Sequence, residues 1–239
     1  MARKYNDLWH DICFRPPASS ISRHVGDHLR MSSSAFVHIV DDDESVCESL
    51  GDLLRSMDYQ VALYRSAAEF LNVRYPDAPS CLVTDIRLPG TSGLELQERL
   101  ARLKIMLPVI LMTGHGDISM SVRGMKAGAV DFLTKPIRDQ DLLDAVAAGI
   151  RIDQARRQEA RRMGELQERF ARLTRREREV ITFVTSGFMN KEIANKLSIS
   201  EVTVKMHRRN AAQKLGANSV AKLVRMVEIL DIQRPPEKS

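Results

Sequence analysis

No apolar run in this chain approaches the roughly 18 residues that a membrane-spanning helix requires. The N-terminus also lacks the apolar stretch of a secretory signal, so the expected location is the cytoplasm, with no membrane partner. Cysteine is scarce. Cys13, Cys47 and Cys81 are scattered and odd in number, without metal-ligand spacing or a disulfide framework, and read as reduced thiols. No GxGxxG follows the first predicted strand, which speaks against a dinucleotide-binding domain. What remains is ordinary soluble composition, 44% hydrophobic and 28% charged, in 239 residues, enough for two small domains.

Charge is unevenly spread. Residues 151–239 carry 20 Lys+Arg against 11 Asp+Glu, a net of +9. The first 150 residues carry 16 against 20, a net of −4. An acidic half followed by a basic half implies different partners, and the basic half suits a polyanion. A solvated helix face would show the same charge.

Residues 1–34 carry no clear period and read as a disordered tail, with Met31 the expected true start. From Phe36 onward, short apolar runs alternate with helical patterns. The runs are Phe36–Val40, Val61–Tyr64, Cys81–Thr84, Val109–Met112 and Val130–Leu133. Segments such as Val46–Met57 and Leu94–Leu103 carry apolar residues at helical spacing between them. This pattern predicts an α/β domain over 35–150, with five parallel strands in the flavodoxin-like doubly wound order. Residues 151–172 read as a partly solvated helical linker. Met163, Leu166, Phe170 and Leu173 recur at heptad spacing, which leaves a coiled-coil seam open.

Residues 173–232 read as four short helices, followed by a tail over 233–239. Thr174 and Glu177 form a capping box, and Gly187 stops that helix. Asn190–Leu197 is the next helix, Ser200 caps the one beginning near Glu201, and Gly216 ends it. Two helices at this spacing form a helix-turn-helix. Ile193, Ala194 and Leu197 are expected to face inward, Ile199 to fill the turn and Val202 to pack the second helix on the first. That leaves Lys205, Met206, Arg208 and Arg209 for an outer face that fits a major groove. A plain helical bundle with a charged surface is the competing reading of the spacing alone.

The chemistry is concentrated at strand ends. Strand one ends in Asp41-Asp42-Asp43, strand three in Asp85 and strand four in Thr113, while strand five leads to Lys135-Pro136. Parallel strands bring these ends to one edge. Carboxylates from two strands can hold Mg²⁺, and a carboxylate can itself accept a phosphoryl group. A lysine and a metal offset the charge on the transferring oxygens. An aspartyl-phosphate phosphatase would use related chemistry. Such enzymes place the nucleophile after the first strand in a DxD pattern, with a cap region for substrate, whereas here the acceptor candidate follows the third strand and no cap insertion is present.

The segments VHIVDDDESV, LVTDIRLPGTSG, PVILMTGHGD and MKAGAVDFLTKP make the stretch from Val37 to Lys135 resemble the receiver domains of two-component systems. The resemblance implies that Asp85 is the phosphoacceptor. It implies that Asp41, Asp42 and Asp85 hold Mg²⁺ with the backbone carbonyl of Arg87, and that Thr113 is the switch hydroxyl. Lys135 is then the phosphate-pairing lysine, its peptide to Pro136 cis. Phe132 stands at the family's rotating aromatic position, although a plain core aromatic reads equally well there. Asp43 receives no role.

The segment from Leu173 to Val224 is similar along its length to the LuxR-type output domain, and the pairing of the two resembles the FixJ-like branch of the FixJ/NarL family. By that match Lys205, Met206 and Arg209 face bases or nearby backbone, while Lys191, Thr203 and His207 contact phosphate or serve as scaffold. Met206 stands where the family often has Val. The family implies a non-enzymatic DNA-binding response regulator, phosphorylated by a sensor histidine kinase and dimeric when phosphorylated. Promoter DNA and RNA polymerase are its expected further partners.

Overall fold

The structure, a computed structural model, describes residues 35–114 and 118–230. The expected N-terminal tail over 1–34, the start at Met31 and the tail from 233 lie outside these residues.

The first part alternates strand and helix in the order β1 (Phe36–Val40), α1 (Glu44–Ser56), β2 (Gln60–Tyr64), α2 (Ala67–Leu71), β3 (Ser80–Asp85), α3 (Gly93–Arg102), β4 (Val109–Thr113), α4 (Ile118–Lys126), β5 (Asp131–Thr134). The strands form one sheet in the order β2-β1-β3-β4-β5, every pairing parallel. This is the doubly wound order expected from the sequence. Alternate side chains on each strand serve opposite faces. Val37, Ile39, Cys81, Val83, Ile110 and Met112 pack with Cys47 and Leu54 of α1 on one side. Leu82, Val109 and Leu111 pack with Phe70 of α2 and Leu94, Leu96 and Leu100 of α3 on the other. Both faces are covered, so the strands read as continuous apolar runs rather than alternating ones.

The next helix, α5 (Asp139–Ala171), is unbroken. Its first turns bury Leu142, Ala145, Val146 and Ile150 against the sheet. The helix continues through 150, and Asp153 one turn on is also fully buried. Its carboxylate accepts the Ser80 amide at 2.9 Å, at the first residue of β3. It also accepts Arg156 at 2.5 Å and Arg157 at 2.6 Å, and Arg157 reaches on to Asp77 at 2.7 Å. These partners supply the hydrogen bonds that a carboxylate cut off from water would otherwise lack. At the other end of α5, Phe170 packs, with Leu173 just beyond it, into the core of the helical domain that follows. Leu166 is buried as well, so three of the four heptad positions lie within the fold rather than on a free seam.

That domain comprises α6 (Arg175–Thr185), α7 (Asn190–Leu197), α8 (Glu201–Leu215) and α9 (Val220–Ile229). Its caps match the sequence reading. Thr174 and Glu177 form a capping box, and Ser200 accepts the Thr203 amide. Gly187 and Gly216 take φ of 83° and 71°, where a Cβ is disfavoured. The core joins Val180, Ile181, Ile193, Val204, Ala211 and Leu215 with Leu223 and Val227. Glu177 is buried and pairs with Lys214 at 2.7 Å, fixing the start of α6 to the end of α8. Burial alone would raise the Glu177 carboxyl, but Lys214 and the Thr174 cap hold it below its ordinary value.

One expectation is overturned. Val202 does not pack against α7; it is 76% exposed, and Val204 is the buried residue. The cap at Ser200 fixes the phase of α8, and two residues along a helix amount to about 200° of rotation. With Val204 inward, Val202 must face outward.

Asp153→Ala removes the acceptor of a buried amide and two guanidinium groups. It is expected to lower stability by about 2 kcal/mol, read as a shift in the urea midpoint of unfolding. An unchanged midpoint would show that the buried carboxylate contributes no net stability.

Candidate phosphoryl-acceptor pocket and nucleic-acid interface

The carboxyl ends of β1, β3, β4 and the residue after β5 converge as expected. Asp41 is 1% exposed, just after β1, and Asp85 7%, at the end of the fully buried β3. Lys135 Nζ lies 2.6 Å from Asp41 Oδ2 and 2.6 Å from Asp85 Oδ2, so one ammonium bridges two strands. The other oxygens are held by the backbone. The Asp43 amide donates to Asp41 Oδ1 at 3.0 Å and the Arg87 amide to Asp85 Oδ1 at 3.0 Å. The Lys135–Pro136 peptide is cis, as the resemblance implies, and the Lys135 amide donates to the Thr113 carbonyl at 2.7 Å.

Burial raises the Asp41 carboxyl above its ordinary value and outweighs the lysine that would lower it. Burial by itself would lower the Lys135 ammonium; its hydrogen bonds to Asp41 and Asp85 carry it above the ordinary lysine value. The pair differs because Asp41 is almost wholly enclosed while the Lys135 side chain is 22% exposed.

Asp41, Asp42 and Asp85 each offer an oxygen, and these atoms lie within 4.8 Å of one another. Three carboxylates face one ammonium, which leaves the pocket acidic. Hard oxygen donors with this charge fit Mg²⁺, which keeps several waters and takes one or two protein carboxylates. Asp43, which the sequence left without a role, is the cap of α1. It accepts the Ser45 and Val46 amides at 2.9 and 3.4 Å. Thr113 is buried at the end of β4, and Phe132 is half-buried on β5 against the α3 side of the sheet.

Two further residues shape this edge without having been singled out in the sequence. The Gly93 amide donates to the Ile86 carbonyl at 3.0 Å, and a Cβ there would collide with the Asp85 carbonyl oxygen. Only glycine lets α3 begin so close to the end of β3. Gln97 is buried on α3 and donates to the Gly124 and Ala127 carbonyls at 3.4 and 3.1 Å, tying α3 to the end of α4. The signal available was a glycine directly after a cap serine, and a glutamine amid the apolar positions of α3.

At the other end of the chain, Lys191, Lys205, Met206 and Arg209 are exposed. His207 and Arg208 are half-buried, and Arg208 reaches Asn190 at 3.4 Å, linking α8 to the start of α7. Thr203 is engaged in the α8 cap, its hydroxyl 2.8 Å from that of Ser200. Asn190, Lys205, Arg208, Arg209, Asn218 and Ser219 line a basic cleft of about 360 Å³. Thus α8 presents a cationic outer surface beside the N-terminus of α9.

Comparison with known proteins agrees with both halves. Residues 37–147 match the family model described as response regulator receiver domain, and residues 171–227 that of bacterial regulatory proteins, luxR family. Nodulation protein W of Bradyrhizobium diazoefficiens is 49% identical over 210 residues, which cover 88% of this chain and 92% of that protein. Response regulator protein TodT of Pseudomonas putida is 42% identical, over 90% of this chain and 92% of its own. Transcriptional regulatory protein FixJ of Rhizobium meliloti is 42% identical over 80% and 93% respectively. A solved structure of the response regulator StyR matches with a TM-score of 0.74 at 47% identity, over 82% of this chain and 98% of that one. The chain therefore belongs to the FixJ/NarL-type response regulators, as a DNA-binding regulator of transcription.

Proposed function

We propose that Asp85 accepts a phosphoryl group from a sensor histidine kinase or a small phosphodonor, and that its phosphorylation controls dimerisation and promoter binding. The observation that carries this reading is the Lys135 ammonium held 2.6 Å from both Asp41 and Asp85, which places a positive charge beside a carboxylate oxygen at the open edge of the sheet.

In the transfer, an Asp85 carboxylate oxygen forms a bond to phosphorus as the bond from phosphorus to the donor breaks. The donor departs with the electron pair. Lys135 then offsets charge on the phosphoryl oxygens instead of on the bare carboxylate. Asp41, Asp42 and Asp85, with the Arg87 carbonyl, would hold Mg²⁺, which when bound supplies further positive charge to those oxygens. Thr113 turns towards the new group and Phe132 follows into the space it leaves. The α4–β5 face, from Ile118 to Phe132, is thereby reset. It bears Val122 and Met125, 47% and 48% exposed, as apolar surface for a second copy. Two output domains then occupy paired half-sites on promoter DNA, where RNA polymerase is a further partner. Lys205, Met206 and Arg209 enter the groove. Lys191 contacts phosphate, and Thr203, His207 and Arg208 support the helix. No helix among the described residues is long and apolar enough to cross a membrane, and the cytoplasm is the proposed location.

Asp85→Asn is expected to abolish labelling by radioactive acetyl phosphate, and chelation of Mg²⁺ should do the same to the unaltered chain. Labelling that persists in the variant would remove Asp85 from its role.

For the output domain, Arg209→Ala is expected to weaken binding to duplexes retained from a random library by about 1–3 kcal/mol. Titration at several salt concentrations measures this, and an unaltered affinity would argue against groove entry.

A further inference from the structure

Helix α8 carries exposed apolar residues that no internal packing explains. Val202 is 76% exposed and Met206 50% exposed. They stand four residues apart, so they are neighbours on the helix surface. Measured from the buried Val204, the positions 202, 206 and 209 fall within about 60° of one another on the opposite side of the helix. The outermost strip of α8 is therefore Val202, Met206 and Arg209, with Lys205 on its flank.

A strip meant only for water would not place a branched aliphatic side chain there. A strip meant only for phosphate would be basic throughout. Here cationic residues border the apolar pair, and the half of the chain from 151 onward carries a net of +9. That charge favours a polyanion as the occupant over a second copy of the same cationic surface. Among the base edges in the major groove, only thymine presents an apolar group, its C5-methyl. Side chains four apart on a helix are separated by about 6 Å, close to two base steps of about 3.4 Å along a strand.

We infer that Val202 and Met206 read thymine methyl groups in the major groove and set base preference. Arg209 and Lys205 seat the helix electrostatically. Val202 is stiff at χ1 and presents a fixed surface, whereas Met206 is adaptable and tolerates variation in methyl position. This inference rests on the DNA-binding reading above and adds the chemical class of base that the helix prefers.

The test uses the full chain, treated with acetyl phosphate and Mg²⁺, and the duplexes it retains from a random library. Each dT of a retained duplex is replaced in turn by dU, which deletes only the methyl. The unaltered protein is expected to lose about fourfold in affinity per methyl it contacts, at one or more thymines. Val202→Ala and Met206→Ala are each expected to bind the dT duplex less tightly and to lose dT over dU discrimination at one position, with the salt slope unchanged. Both sites are exposed, so the variants should match the unaltered chain in circular dichroism, and the dU series on the unaltered chain stands without them. Salt-dependent binding with indifference to every dT→dU replacement would overturn methyl reading and leave DNA binding intact. Discrimination that persists in both variants would overturn it too, as would a loss confined to self-association, which would assign the strip to a second copy. Failure to retain any duplex would overturn both readings.

Discussion

One ammonium paired with two carboxylates from different strands is the constraint on which this molecule depends. Asp41 and Asp85 would repel each other at the same sheet edge, and both are nearly enclosed. Lys135, 2.6 Å from each, makes that proximity tolerable. The parallel sheet exists, in functional terms, to make this meeting possible. Strands that run the same way end at the same edge, so residues 94 and 50 positions from Lys135 reach it without any long loop. Under the proposed phosphorylation the same pairing would make the site responsive. A group added to Asp85 changes what the ammonium faces, and everything bonded near it must adjust.

Much of this was legible because the relevant signals are local and periodic. Apolar runs marked the five strands to within a residue or two, and acids, hydroxyl and lysine stood directly at their ends. Caps were equally plain, since Thr174, Ser200 and Gly216 act through their own backbone neighbourhood. The residues that went unread act over distance. Asp153 on a solvated-looking helix gave no sign that it would bond the amide of Ser80, 73 positions away. Glu177 read as a cap, and only the packing of α6 on α8 reveals its second partner, Lys214. Val202 failed for a simpler reason. Periodicity finds a helix, but a phase error of two positions turns a core residue into a surface one, and only the observed cap fixes that phase.

The unbroken run of α5 through position 150 has a mechanical meaning. Helix α5 does not begin as a linker; it is the last layer of the receiver core through Ile150 and is fastened again at Asp153 and Arg157. These fastenings lie at the start of β3, while Asp85 lies at its end, about 17 Å along the strand. Asp85 and the helix that leads to the output domain are thus attached to the same strand at opposite ends. A buried ion cluster of this kind resists gradual displacement, because moving one member strands the others without partners.

This arrangement limits how a signal can leave the pocket. A change at Asp85 that loosened α5 would have to break the Asp153 cluster and expose the apolar stripe beneath Leu142, Val146 and Ile150. The α4–β5 face offers far less resistance. Its attachment includes the Gln97 bonds to Gly124 and Ala127 and the exposed Arg123–Glu98 pair, whose partners are water-accessible and worth little individually. Thr113 and Phe132 sit on the two strands that border this face, β4 and β5. The least costly response to a new charge at Asp85 therefore lies on the α4 side, with α5 remaining a fixed strut. Under the proposed phosphorylation of Asp85, the output domain would be governed by what the α4–β5 surface binds, and not by bending of the helix that connects them.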